Sequence, residues 1–175
     1  MTEEKWVSPL LDEARKWLGT TEEGSDNCGQ AVETFQRDVD GRAYAQSWCM
    51  CFALYCVHQA AKTTGLQSWL SDFSFCLTVW NASPLEARLQ KPQPGAIVVY
   101  QFGNSIHGHA GIVEAVSPDG VLMTTIEGNT SPGVDVKSGI VVERNGDGVY
   151  RKTRQVLGTT TMRVKGFLLP FKPVL

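Results

Sequence analysis

The chain has 175 residues, 42% of them hydrophobic and 19% charged, with a formal net charge of −2. This length fits one domain spanning residues 1–175, large enough to bury a core without disulfide staples. The composition excludes a disordered chain. The charge balance gives no field for nucleic acid or an anionic membrane surface, and no run of about 18 apolar residues could cross a bilayer.

In chain order, Leu10, Leu11, Ala14 and Leu18 recur at helical spacing, with Ser8-Pro9 as cap and first turn and Gly19 as a stop. A polar loop, Thr20 to Asn27, follows. Val32, Phe35 and Val39 predict a second helix over about Gly29 to Asp38. A third, over about Trp48 to Thr63 and stopping at Gly65, is apolar nearly all round and should be buried. After Pro94-Gly95 the period changes to that of strands. These are expected at Ala96–Phe102, His109–Val116, Val121–Glu127, Gly139–Arg144, Tyr150–Val156 and Arg163–Leu169, separated by Gly-, Pro- and Asn-rich turns. Helices first and an antiparallel sheet second make an α+β fold.

The first residues, Met1-Thr-Glu-Glu-Lys-Trp6, have neither the basic region nor the apolar core of a signal peptide, so synthesis in the cytoplasm is expected. The cysteines are Cys28, Cys49, Cys51, Cys56 and Cys76; the odd count favours reduced thiols. A helix N-terminus lowers a thiol pKa through its unpaired N–H groups and dipole. Cys49 stands at such a position on the buried helix. Cys51, two residues on, is turned about 200° away, so only one of the two can meet a polar site on the sheet. Cys51, Cys56, Cys28 and Cys76 read as buried apolar filler.

A nucleophilic cysteine needs a base and a group to orient that base. His58 lies near the end of the Cys49 helix and reads as a helix-end cation or a core-edge residue. His109 enters a strand whose small neighbours, Ala110 and Gly111, permit close approach of another element. It is either a base or a satisfied sheet histidine. Thr125, Glu127 and Asn129 share a face of the next strand at period two, where Glu127 could orient His109 or simply face water.

Four segments together resemble the CHAP-type peptidoglycan hydrolases: Ser47-Trp-Cys49-Met-Cys-Phe52-Ala, Pro92-Gln-Pro-Gly95-Ala-Ile-Val-Val-Tyr100, Gly108-His109-Ala-Gly-Ile-Val113 and Glu127-Gly-Asn129-Thr. They occur in family order across about Gly19 to Arg154, and the loop Glu23–Gly29 is similar to one found in a branch of these enzymes. Ala96 and Met50-Cys51 depart from the family pattern without touching the proposed site. The resemblance implies a papain-like fold, with N-terminal helices packed on a barrel-like sheet. It also implies Cys49 as nucleophile, His109 as base, Glu127 as orienting group and Asn129 as an assisting residue. The implied activity is cleavage of an amide in bacterial peptidoglycan, as a muramoyl-alanine amidase or a stem or cross-bridge endopeptidase. The expected setting is a monomeric phage endolysin, reaching the wall by holin-type release or by secretion, with no nucleic-acid or membrane partner.

Some relatives bind calcium through an acidic loop. Asp38-Val-Asp40-Gly41 has something of that composition, but its offset from Cys49 does not fit and it offers too few oxygen ligands, so no cofactor is expected. Zinc on Cys49, Cys51, Cys56 and His58 is disfavoured, because ligands spread around one helix cannot converge. The alternatives are an antibacterial secreted amidase effector, a non-catalytic wall-binding module, and an amidase or protease for another substrate whose cleft is lined by Glu22, Glu23 and Asp26. The last competes with a solvated acidic loop.

Overall fold

A computed structural model describes residues 4–132 and 145–172. Helix α1 (Val7–Lys16) buries Val7, Leu10, Leu11 and Ala14, the stripe expected from their spacing. It begins two residues earlier than Ser8-Pro9 suggested. Trp6 takes the cap position with its ring buried, and Ser8 donates from Oγ to Asp12 at 3.1 Å within the helix. Pro9 falls in the first turn, where its missing N–H has no helical partner to lose.

Helix α2 (Gln30–Asp40) buries Val32, Phe35 and Val39, and α3 (Cys49–Thr64) is buried around most of its circumference and ends at Gly65. Phe35 joins the helices: its ring centroid lies 4.9 Å from Trp17, 5.1 Å from Tyr55, 5.4 Å from Phe52 and 5.8 Å from Trp48. Edge-to-face and offset contacts of this kind add to the area they bury. The contact with Trp48 fixes the N-terminal end of α3, and with it Cys49.

Residues 66–95 hold elements the sequence did not announce: a short helix α4 (Cys76–Ala82), a 3₁₀ turn (Leu85–Ala87) and strand β1 (Arg88–Leu89). Two turns of helix are too short to display a period. What docks α4 is tertiary contact. Trp80 lies over Gly166, where a Cβ would come within 2.3 Å of the indole.

The remaining strands are β2 (Ile97–Phe102), β3 (Gly108–Val116), β4 (Leu122–Thr130), β5 (Gly148–Gln155) and β6 (Met162–Leu168). Five of the six expected strands are therefore present to within a few residues; the expectation for Gly139–Arg144 lies outside the described residues. All pairings are antiparallel, in the order β1-β6-β2-β3-β4-β5. The fold is α+β as expected, but the sheet stays open with β1 and β5 at its edges, so "barrel-like" overstates its closure.

Alternation along the strands gives the sheet two apolar faces. Ile97, Val99, Ala110, Ile112 and Ile126 join the core under the helices. Val98, Tyr100, Phe102, Val113 and Met123 form a second cluster with Met162 and Phe167. His109 takes the second face, its ring 5.9 Å from that of Tyr100 and stacked. No helix among the described residues is long and apolar enough to cross a membrane.

Candidate active site

Cys49 is the first residue of α3, and Trp48 before it provides no side-chain cap. The first-turn N–H groups are thus unclaimed by a cap, and the positive end of the helix meets the thiol. Trp48 is held by Nε1 donating to Glu22 Oε1 at 2.8 Å. Glu22 therefore neither lines a cleft nor faces water freely: it ties the acidic loop to the start of α3. Glu23 and Asp26 are exposed, and only Asn27, at the loop's end, lines the cleft.

Helix phase separates the two thiols as expected. Cys51 turns toward α2, 3.9 Å from Asp40 Oδ2, and burial together with that carboxylate pushes its pKa up. Cys56 is raised by burial. Cys49, only 4% exposed, moves the other way. Its thiol is held well below the usual range, first by a hydrogen bond from Cys76, whose Sγ lies 3.6 Å away. Burial opposes this. The charge of His109, its hydrogen bond and the Ala110 N–H add to the lowering. Cys76 is pushed up by its bond to Cys49 and by burial. The physical picture is one proton on the Cys76 sulfur, donated to a Cys49 thiolate. Cys76 is buried as expected, but its place against Cys49 was not foreseen, since a sequence separation of 27 encodes no proximity.

His109 Nε2 lies 2.8 Å from Glu127 Oε2. Burial disfavours the imidazolium, but the thiolate charge, the bond to Cys49 and the bond to Glu127 outweigh it, and the pKa is pushed up to about 10. Glu127 is fully buried, which by itself would favour protonation. Arg154 reverses that. It grips both carboxylate oxygens, Nε to Oε1 at 2.9 Å and Nη2 to Oε2 at 2.5 Å. Thr125 Oγ1 donates to Oε1 at 2.6 Å. With His109 also donating, the carboxyl is held well below its ordinary range. An ionised carboxylate only accepts, so Nε2 carries a proton and Nδ1 is left for the sulfur.

Glu127 reaches this position because β3 offers a glycine beneath it. A Cβ at Gly111 would lie 2.6 Å from Glu127 Cγ. Period two thus places Thr125 and Glu127 together as expected. It does not extend to Asn129. The β4–β5 register shifts between Glu127 and Thr130, and Asn129 takes a left-handed backbone (φ 53°). Its Nδ2 donates to Asn27 Oδ1 at 3.2 Å rather than to His109, and its own Oδ1 is buried with no hydrogen-bond partner.

Two residues of the site escaped the sequence reading. Arg154 lies on β5, a strand expected from the sequence but given no part in the site; the pairing of Met123 with Arg154 turns it inward beside Glu127. Asn27 ends the acidic loop with φ 59°, a conformation in which Asn is enriched, which is the one signal it carried.

Cys49 and Cys76 open into a cleft of about 450 Å³, also lined by Asn27, Phe75, Ile106 and His107. His58 lies outside it, with Nδ1 2.5 Å from Asp38 and Nε2 2.9 Å from Asp72. Among the described residues no group of three or more His, Cys, Asp or Glu side chains could hold a metal ion. Asp38 and Asp40 are engaged with His58 and Cys51. The arrangement offers a thiolate beside an imidazolium, backed by a buried carboxylate, at the floor of an open cleft. This is the set of groups that acyl transfer through a covalent thioester requires.

Compared with known proteins, residues 39–129, just over half of the chain, match the family model described as CHAP domain. No curated protein matches the chain.

Proposed function

The chain belongs to the CHAP domain family, whose members are cysteine- and histidine-dependent amidases and peptidases acting on peptidoglycan, and from that premise we propose that it hydrolyses a peptidoglycan amide with Cys49 as nucleophile. The observation that carries this reading is the buried chain of charge Cys49–His109–Glu127, ending in the cleft at the uncapped start of α3.

In the proposed mechanism the Cys49 thiolate attacks the scissile carbonyl carbon. The carbonyl oxygen, now an oxyanion, is held by the Cys49 backbone N–H at the helix start. Asn27, whose side-chain oxygen is occupied by Asn129, offers its amide N–H as a second donor. His109 then gives its Nδ1 proton to the leaving amine, and a thioester remains on Cys49. The neutral imidazole next takes a proton from water, the hydroxide attacks the thioester, and the thiolate–imidazolium pair is restored. Glu127 keeps the ring oriented throughout and stabilises its charged form. Asn129 acts at one remove, by holding Asn27.

The bond is the muramoyl-alanine amide or a peptide bond of the stem or cross-bridge, and the proposed setting is a phage endolysin. Purified peptidoglycan incubated with the protein should release soluble fragments, whose masses name the bond. Cys49→Ser should reduce the rate by about a thousandfold or more. If Cys49→Ser keeps full activity while Cys51→Ser loses it, the assignment is wrong. Expression with a holin should lyse the host; protection by a cognate immunity protein would point to a secreted effector instead.

A further inference from the structure

We propose that Cys49 and Cys76 form a peroxide-responsive thiol pair, in which Cys76 captures an oxidised Cys49 as a disulfide. The inference rests on the reading of Cys49 as an ionised nucleophile. Hydrolysis itself makes no use of a second sulfur, since a hydroxyl at position 76 could donate the same hydrogen bond. Yet a thiol stands there, buried, 3.6 Å from the sulfur of Cys49.

The geometry suits the pair. A disulfide needs an S–S distance of about 2.05 Å, so the two sulfurs must close by about 1.5 Å. Cys76 heads α4, a helix of seven residues entered from the extended backbone of Phe75, so only a short element has to yield. Both cysteines line the cleft, which admits a small peroxide. Cys51 is turned to Asp40 on the other side of α3 and does not compete.

The chemistry balances with one hydroperoxide as oxidant. The Cys49 thiolate attacks the distal oxygen, the O–O bond breaks, and hydroxide (or alkoxide) departs, leaving a sulfenic acid two electrons more oxidised. The Cys76 sulfur then attacks the Cys49 sulfur as its proton is lost. The S–S bond forms, the S–O bond breaks, and hydroxide leaves as water with a proton. In sum, two thiols and one hydrogen peroxide give one disulfide and two waters. The disulfide silences the nucleophile and keeps it from the irreversible sulfinic state. A dithiol restores both thiols by exchange and is itself oxidised.

The test treats the full chain with hydrogen peroxide, blocks remaining thiols with iodoacetamide, and maps a non-reducing digest by mass spectrometry. Wall hydrolysis is followed before treatment, after it, and after dithiothreitol. The expected result is a Cys49–Cys76 linked peptide, a mass loss of two hydrogens, and activity that falls with peroxide and returns with dithiothreitol. Cys76→Ser and Cys76→Ala, each measured against its own untreated activity, should be inactivated without recovery, with Cys49 found as sulfinic acid. Recovery in these variants equal to wild type, or a linked peptide carrying Cys51 or Cys28 in place of Cys76, overturns the proposal. So does sulfinic Cys49 in wild type with no linked peptide. The linked peptide is read on wild type, so misfolding of a variant does not shield the proposal. A protein that links Cys49 to Cys76 under peroxide but hydrolyses no wall even before treatment sinks the functional reading and leaves the thiol pair standing. An active enzyme that forms no link does the reverse.

Discussion

Replacing Arg154 with Met should be among the most damaging single changes outside the helical core. Arg154 is nearly fully buried and grips both oxygens of a Glu127 whose own exposure is 0%. Solvent screening therefore discounts little. Met fills much of the aliphatic space but takes away the cation that grips both carboxylate oxygens, leaving the buried Glu127 with His109 as its charged partner. Breaking a buried pair from one side costs about 3–5 kcal/mol, a large part of the 5–15 kcal/mol that holds a domain together. For a chain of this size that corresponds to a melting point lower by roughly 6–20 °C. The assay is equilibrium unfolding in urea, with Glu127→Gln and the double variant completing a cycle. The double variant should be more stable than the sum of the single losses implies, because no orphaned charge remains. The pH dependence has a definite sign. A carboxyl held below its unfolded value of about 4.3 contributes stability that is present above that pH and is lost as pH falls through the folded value. Wild type should therefore keep its full advantage over Arg154→Met above about pH 5 and lose it progressively in stronger acid. A loss below about 1 kcal/mol at neutral pH, or additive single losses, would refute the account of Arg154 as the group that keeps Glu127 ionised.

Four further outcomes are expected. The rate of Cys49 alkylation by iodoacetamide should already be high well below the usual thiol range, because the thiolate is stabilised by Cys76 and His109; hydrolysis should fall as pH rises through about 10, where His109 loses the proton it must donate. A single titration near the ordinary cysteine value of about 8.5 would contradict the ion pair. Gly111→Ala forces a Cβ to 2.6 Å from Glu127 Cγ, and overpacking of this kind costs about 1–3 kcal/mol; hydrolysis should drop far more than stability, and an unchanged rate would show that Glu127 tolerates displacement. Phe35→Ala removes the ring shared by Trp17, Trp48, Phe52 and Tyr55 and should lower unfolding stability by about 3–5 kcal/mol; a loss below 1.5 kcal/mol or so would mean the cluster closes over the gap.

Much of the site could be read from local pattern. The apolar spacing around Phe35 and along Cys49–Thr64 fixed the helices, because a buried helix face repeats within one segment. Helix phase set Cys49 apart from Cys51, and strand alternation put Thr125 with Glu127, since side-chain direction follows from backbone geometry alone. The order of the four family-like segments supplied the chemistry to expect of Cys49, His109 and Glu127. What tertiary structure decided are the partners that lie far apart along the chain. Nothing local marks Arg154, which meets Glu127 only because β5 pairs with β4. Asn129 left the face that alternation assigned to it, because a register shift and a left-handed backbone sent its amide to Asn27. Cys76 came to Cys49 only because Trp80 docks a two-turn helix over Gly166. A period records which way a side chain points within its own element. Which charge or sulfur it meets there is fixed by the packing of that element against the rest of the chain.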